Sequence, residues 1–448
     1  MIFGLLIVAL LFVVYRYHIW ARIRQHASHT RQTPECEQSK NSPKGEQSKF
    51  TAKTERPYGA WTPVPFRYPK IDAWPHELSE TKPIPYRPFK WDTYHVTMGI
   101  RNMIWSDWIE LDDQYRNYQE IRARRIETQG HGVLRVLDDT PTCKGGGLAV
   151  IELVHELAEY LSRRYPTTFR VSRHPESNTE YNWGWEGLPP IKTITVVPLE
   201  ETHELPLSLH EGDGVAEKAM IICALLIQDD LAVMVEGTDG RYYFQAGAIC
   251  VPGFWRMRDK IGMPLDEIHI SGDVPLYRSK LHASMERFFR RMPVEKPVAR
   301  NNYFLQTIRP LEERKGREDA EELAWSESTN GLESEFQSGG RFSHKLKPTT
   351  ETLRLRSERQ TLRRLPISGA IVFTIRTYMT PIEELGRERG VPGRLASSMR
   401  SWPTEVGEYK GKERGEWYEA VLAYMDECHR EQVDRGEAAR PGQGDYPY

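Results

Sequence analysis

Residues 242–289 constrain the fold most, because one continuous stretch changes there from strand to turn to helix. The letters YYFQAGAIC have the composition of a strand, and Pro252-Gly253 marks a turn after it. His269 follows in the apolar frame EIHI, and a glycine turn then leads into an amphipathic helix. A lone histidine in such a frame is more often a core residue than a ligand, so this segment by itself assigns no chemistry.

The other predicted elements do not alternate regularly between strand and helix, which favours an α+β fold over a doubly wound sheet. A GTDG turn joins two of the predicted strands into a hairpin. The letters AIVFTIRTY indicate a strand buried on both faces for much of its length. The predicted strands are 191–199, 231–235, 241–250, 302–308, one beginning at 352–355, and 370–378, and the predicted helices are 105–125, 148–164, 215–227, 277–290 and 416–428.

The amino terminus carries an unbroken apolar run, IFGLLIVALLFVV, at residues 2–14. The run is shorter than the roughly 20 residues of a membrane span, but aromatic residues extend it and arginines flank it. We predict a single transmembrane anchor over residues 1–24, and a cleaved signal peptide is the alternative. The positive flank follows the run, which predicts a single-pass membrane protein whose body faces the cytosol from the endoplasmic reticulum or another internal membrane.

Composition predicts the remaining domain organisation. Residues 25–85 are expected to form a disordered and then extended linker, rich in proline and aromatic residues toward its end. The folded domain is predicted over residues 86–430, with a surface insertion at 311–350 and a disordered tail at 431–448. The large rings near the end of the linker are expected to pack on the domain surface, and SH3-type partners are the alternative.

Charge, cysteine count and missing motifs exclude several functions. A net charge of −2 gives no basic footprint for nucleic acid. Five cysteines without a CxxC pair do not suit a zinc knuckle or an iron–sulfur ligand set. The chain lacks a GxSxG elbow, a Walker A loop and a dinucleotide fingerprint, and His155-Glu156 does not complete HExxH. Any redox chemistry would therefore need electrons from another protein.

From about residue 86 to about residue 389, the chain resembles the haem-dependent oxidative N-demethylase family. The matching stretches are YRPFKWDTYHVTMGIRNM, WIELDDQY, LIQDDLAVM, AGAICVPGFWRMRDKIGMPLDEIH, VARNNYF and RSERQTLRRLPISGAIVFTIRTY. Their order and spacing cover most of the folded body. The apolar amino terminus and the insertion at 311–350 resemble the membrane-anchored fungal branch of that family.

This resemblance implies a PAS-like core, an antiparallel sheet flanked by helices, that holds haem b. In bacterial members the haem subunit oxidises a small secondary amine with O2 and releases formaldehyde, while flavin and iron–sulfur subunits supply the electrons. The chain is therefore expected to be a monooxygenase that removes an N-alkyl group from a small amine, with electrons from a separate NAD(P)H reductase. Two alternatives stay open: a non-catalytic haem-binding PAS-type sensor, and a membrane-tethered scaffold that has lost haem.

The same resemblance suggests roles for particular residues. It implies His269 as the iron ligand, with Trp255 in the apolar wall of the pocket. Glu358 is the candidate catalytic residue, to hold an ammonium substrate or to relay protons. The loop after the histidine, IHISGDVPLY, is two residues longer than the IHxPVPxY of bacterial-like members, so the pocket shape and the substrate are expected to differ. The arginines expected to pair with haem propionates are Arg300, Arg356, Arg359 and Arg376.

Overall fold

A seven-stranded antiparallel sheet is the centre of the fold in a computed structural model, which describes residues 56–175, 181–253, 255–323, 347–413 and 416–437. The strands are β1 (Arg101–Asn102), β2 (Leu134–Val136), β3 (Phe169–Arg173), β4 (Ile191–Val196), β5 (Glu201–Glu204), β6 (Asp230–Glu236), β7 (Tyr242–Ala248), β8 (Val298–Thr307), β9 (Leu353–Arg364) and β10 (Ile371–Pro381). The large sheet has the order β1-β8-β9-β10-β6-β7-β2, and a smaller sheet has the order β3-β4-β5.

Helices cover both faces of the large sheet. They are α1 (Tyr115–Gln129), α2 (Gly147–Arg164), α3 (Val215–Leu226), α4 (Leu265–Ser271), α5 (His282–Arg291), α6 (Ile382–Arg387), α7 (Val391–Arg400), α8 (Thr404–Tyr409) and α9 (Trp417–Asp434). A π-helical turn, Tyr277–Leu281, leads directly into α5. The predicted α+β class, a large antiparallel sheet flanked by helices, is confirmed.

The alternation of side chains along β9 assigns its residues to two faces of the sheet. Glu358 lies opposite Asn302 of β8 and Thr377 of β10, so these three side chains share one face. This face packs beneath α4, the π-helical turn and α5. On the other face Arg359 lies opposite Arg376, and that face packs against α1, α2 and α3. A ligand site between the sheet and α4 can therefore receive only alternate residues of each strand.

Two predicted elements differ most from the structure. The helix expected over 105–125 begins only at Tyr115, after a short 3-10 turn at Trp105–Asp107. The backbone N–H groups of Ile109 and Leu111 donate instead to tyrosine hydroxyls of α2 and of the residue that follows it, so tertiary contacts replace helical hydrogen bonds. The strand expected to begin at 352–355 continues through the charged letters LRLRSERQTLRR, and all of its residues are buried.

The described part of the predicted linker is extended and packs on the domain. The indole of Trp61 donates to the carbonyl oxygen of Pro366 at 3.0 Å. The ring of Tyr68 stacks on Trp185 with 3.8 Å between the ring centroids. Phe89, just after the predicted linker, is almost fully buried. Packing on the domain thus shields most of these rings partly from water, because their full exposure would be costly, whereas Tyr58 remains exposed.

The predicted localisation requires correction. Among the residues that the structure describes, no helix combines the length and the apolar character that crossing a membrane requires. A single-pass membrane protein is therefore not supported. The apolar run over residues 1–24, from which that prediction was made, lies outside the described residues. So do residues 25–55 of the predicted linker, 324–346 of the predicted insertion and 438–448 of the predicted tail.

Candidate functional site

A cavity of about 300 Å³ lies between the sheet and the helices above Glu358. Its volume is at the lower end of the range of small-molecule and cofactor sites. The floor comes from alternate residues of β6, β10, β9 and β8, and the cover comes from α4, α5 and the loops beside them. Most of the lining is apolar, including Met234, Phe373 and Leu362 below and Ile268, Met285 and Phe289 above.

His269 lines this cavity from α4. Its Nδ1 donates a hydrogen bond to the carbonyl oxygen of Leu265, 2.7 Å away and one turn earlier in the same helix. The imidazole stacks on Tyr277, with 4.8 Å between the ring centroids and 13° between the ring planes. Trp255 meets the same ring edge-to-face at 5.4 Å. These contacts hold the imidazole in one orientation at the cavity wall.

Burial lowers the pKa of His269 to about 4, although its hydrogen bond to Leu265 opposes that shift. The charges of Arg300 and Lys260 lower the pKa further. The imidazole is therefore neutral near pH 7, with its proton on Nδ1. Within the described part of the chain, Nε2 has no hydrogen-bond partner. A neutral imidazole whose second nitrogen is anchored to a carbonyl is the form that binds metal ions.

Glu358 lies on the cavity floor and already has two partners. Arg356 approaches its Oε1 at 3.2 Å, and the side-chain amide of Gln360 donates to Oε2 at 3.0 Å. A Cβ atom at Gly253 would come within 2.5 Å of Oε1, so glycine leaves the space that this carboxylate occupies. The charge of Glu358 is therefore balanced by Arg356 before any ligand is considered.

Arg300 and Lys410 also line the cavity, close enough for the charge of Arg300 to act on Lys410. The Arg300 side chain makes no hydrogen bond or ion pair with the residues that the structure describes, and its Nε is buried. Lys410 follows α8 and is 5% exposed, with its Nζ donating to the carbonyl oxygen of Tyr303. Burial lowers the pKa of Lys410 to about 7, and the charge of Glu358 opposes this shift. Sequence reasoning missed Lys410, because nothing in the letters EYKGKERG distinguishes it from a surface lysine.

The other residues singled out in the sequence lie in different environments. Trp255 lines the cavity, and its Nε1 is buried with no hydrogen-bond partner among the described residues. Arg356 lies behind Glu358 and also donates to the carbonyl of Val251 at 2.9 Å. Arg359 pairs with Glu110 at 2.9 Å and Arg376 pairs with Asp112 at 2.8 Å, both on the opposite face of the sheet. Of the four arginines named from the sequence, only Arg300 lines the cavity.

The loop after His269 forms part of the cavity wall. Val274 and Pro275 line the cavity, between two residues with left-handed backbone, Asp273 at φ +54° and Leu276 at φ +56°. Such angles are uncommon for residues other than glycine. A Cβ atom at Gly272 would come within 2.6 Å of the Trp255 indole. The residues of this loop therefore contribute directly to the shape of the cavity.

A second possible metal-binding group lies at the surface, on α4 and α5. The ligand atoms of Asp266, His282 and Glu286 lie within 4.8 Å of one another. Arg241 already binds both oxygens of Asp266, at 2.7 Å and 2.8 Å. His282 is paired with Glu286 at 2.9 Å. This group is satisfied by its own contacts, and the cavity at His269 is the stronger candidate site.

One comparison with known proteins bears on the cavity. A family model described as haem-dependent oxidative N-demethylase, alpha subunit-like, matches residues 99–422. The matched range contains all seven strands of the large sheet. It also contains His269, Glu358, Arg300 and Lys410.

Proposed function

Because this chain belongs to the haem-dependent oxidative N-demethylase alpha subunit-like family, we propose that it binds haem b in the cavity and oxidatively removes an N-alkyl group from a small amine. The observation that carries the proposal is the state of His269. Its imidazole is neutral, its Nδ1 is bound to the Leu265 carbonyl, and its Nε2 remains for an iron ion. The PAS-like architecture and the single domain over residues 86–430 are parts of the same proposal.

The residues around the cavity fit a haem group. The walls are apolar, as a porphyrin requires, and His269 supplies a nitrogen donor. Arg300 offers a guanidinium without a carboxylate partner among the described residues, which suits a propionate. When bound, haem would supply the oxidising chemistry with O2. The electrons would come from a separate NAD(P)H reductase with flavin and iron–sulfur centres.

The chain's own side chains would position the amine and exclude water. Glu358 would accept hydrogen bonds from the ammonium form of the substrate and hold a proton near it. Arg356 and Gln360 keep that carboxylate oriented toward the cavity. Trp255 and Tyr277 keep the imidazole in place, so haem would be held in one position relative to Glu358. The apolar cover would keep bulk water from the reacting amine.

An absorption spectrum tests the proposal. The full chain, supplied with haemin, should give a Soret band that is lost or shifted in His269→Ala. His131→Ala is a matched control, because His131 is exposed and does not line the cavity. Addition of a reductase, NAD(P)H and an amine should then release an aldehyde, formaldehyde for an N-methyl amine.

Three results would contradict parts of the proposal. A wild-type chain that stays colourless with haemin would contradict haem binding and favour a scaffold. An unchanged spectrum in His269→Ala would contradict the ligand assignment. Haem binding without turnover of any amine would contradict the enzymatic step and favour a sensor.

A further inference from the structure

The polar part of the cavity carries more positive than negative charge. Glu358 and Arg356 form an ion pair at 3.2 Å and balance each other. Arg300 and Lys410 remain beside this pair without a carboxylate partner among the described residues. Burial lowers the pKa of both cations, and the nearby charge of Glu358 opposes that shift in each; the charge of Arg300 lowers the pKa of Lys410 further. Two neighbouring cations at a desolvated wall repel each other unless an anion joins them.

Lys410 is held at the cavity wall by aromatic residues. Its Nζ lies 4.3 Å from the ring centre of Tyr303, 4.4 Å from that of Phe304 and 5.6 Å from that of Trp402. Ring faces stabilise an ammonium group, and the hydrogen bond to the Tyr303 carbonyl uses one of its three donors. Two donors therefore remain for a ligand. The cage makes this lysine a built feature of the wall and not a flexible surface side chain.

We propose that Arg300 and Lys410 form a carboxylate-binding subsite in the cavity. The guanidinium of Arg300 can bind a carboxylate through two parallel hydrogen bonds, and the ammonium of Lys410 adds a third charged donor. A carboxylate between them would neutralise the excess positive charge. An ammonium ligand alone would instead meet the two cations Arg300 and Lys410, while Arg356 already balances the charge of Glu358 from behind the cavity floor.

The carboxylate has two possible sources, and both rest on the proposed function. It is either a propionate of haem or the carboxylate of the substrate. In the second case the substrate class is an N-alkyl amino acid. Such a zwitterion would place its ammonium at Glu358 and its carboxylate at Arg300 and Lys410, so both charges would be satisfied. The subsite itself requires neither haem nor turnover, because an anion can bind to the cofactor-free chain.

Calorimetry with benzoate and benzamide tests the subsite without haem. The two probes have nearly the same shape, and only benzoate carries the charge. Benzoate should bind the full chain at least about tenfold more tightly than benzamide, as expected for charge-assisted hydrogen bonds. Lys410→Met and Arg300→Met should each remove that preference, and Lys410→Arg should retain part of it. Lys412→Met is the matched control, because Lys412 is exposed and does not line the cavity.

Two results overturn the subsite. One is equal binding of benzoate and benzamide by the wild-type chain. The other is a benzoate preference in Lys410→Met equal to that in Lys412→Met. Circular dichroism on each variant keeps an unfolded protein from being mistaken for a lost site. A benzoate preference in a chain that binds no haem would support the subsite while contradicting the proposed function.

Haemin and its dimethyl ester distinguish the two sources of the carboxylate. The ester has no charged propionates. A propionate source predicts that Lys410→Met weakens the binding of haemin about tenfold or more and leaves the binding of the ester unchanged. A substrate source predicts that Lys410→Met binds haemin as tightly as wild type does. The haem-loaded variant should then show a weaker spectral response to N-methylglycine than wild type, while its response to dimethylamine stays unchanged. If Lys410→Met lowers neither the haemin affinity nor the response to N-methylglycine, the subsite is contradicted.

Discussion

The Nδ1 atom of His269 lies 2.7 Å from the carbonyl oxygen of Leu265, one turn earlier in α4. A carbonyl only accepts hydrogen bonds, so Nδ1 carries the proton and Nε2 is the unprotonated nitrogen. Tyr277 and Trp255 contact the same ring from two directions. The backbone of one helix thus selects the tautomer that can bind iron, and the neighbouring rings fix its position before any ligand arrives.

Haem affinity is expected not to fall as pH decreases from about 8 to about 5.5. Burial lowers the pKa of His269 to about 4, whereas a solvated imidazole has a pKa near 6.5. The neutral form, which binds iron, therefore persists below pH 6.5 and is lost only as pH approaches about 4. Spectrophotometric titration with haemin at several pH values measures this. A fall of about tenfold between pH 7 and pH 5.5, as for a solvated imidazole, would contradict the buried environment.

Arg376→Met and Arg300→Met are expected to affect stability differently, although both guanidiniums lie in the interior. Arg376→Met leaves Asp112 buried without its cation, and breaking a buried pair costs about 3 to 5 kcal/mol. Arg300→Met leaves no unpaired carboxylate, so its effect should stay within about 1 kcal/mol. Urea denaturation measures both values. Equal losses of stability would mean that Arg300 has a structural partner after all.

Glu358→Gln is expected to weaken amine binding and to destabilise the chain by about 2 kcal/mol. The substitution keeps the shape but leaves the buried charge of Arg356 without its anion. Amine titration of the haem-loaded protein and urea denaturation measure the two effects. Glu351→Gln is the control, because Glu351 lies exposed just before β9. Amine affinity unchanged in Glu358→Gln would exclude the proposed ammonium contact.

Gly272→Ala is expected to move the Trp255 indole and alter the cavity. The added methyl group would lie 2.6 Å from the indole Nε1, which is too close for any real contact. We expect a loss of about 1 to 3 kcal/mol in stability, as for an overpacked core. Changed tryptophan fluorescence and weaker haem binding should accompany it. Gly132→Ala is the control, since its nearest neighbour would be 3.9 Å away; equal effects in both variants would contradict this role of the loop.

Local patterns in the sequence predicted those elements whose residues are neighbours in the chain. The hairpin of β6 and β7 follows from the GTDG turn, and α2 follows from an apolar stripe at helical spacing. The quoted stretches also identified the family, which the match over residues 99–422 confirms. They singled out His269 as the candidate ligand, and the structure places it at the cavity wall.

The division of the arginines was partly predictable. Arg356 and Arg359 differ by an odd number of positions in a strand, so period-two alternation assigns them to opposite faces. That rule applies only if β9 is recognised as a strand, and its many charged residues make the strand difficult to recognise from the sequence. Every second residue of β9 can be polar and still be buried, because Glu110 and Glu156 from distant segments supply the partners.

The sequence by itself determined the mixed α+β class, the family and the histidine at which chemistry is proposed, because each depends on residues close together in the chain or on a matching order of motifs. Only the tertiary structure decided that Arg300 lines the cavity while Arg359 and Arg376 do not, and that Lys410 joins Arg300 there. The reason is physical. Burial and charge pairing arise between segments far apart in the chain, and no local pattern records which of them meet.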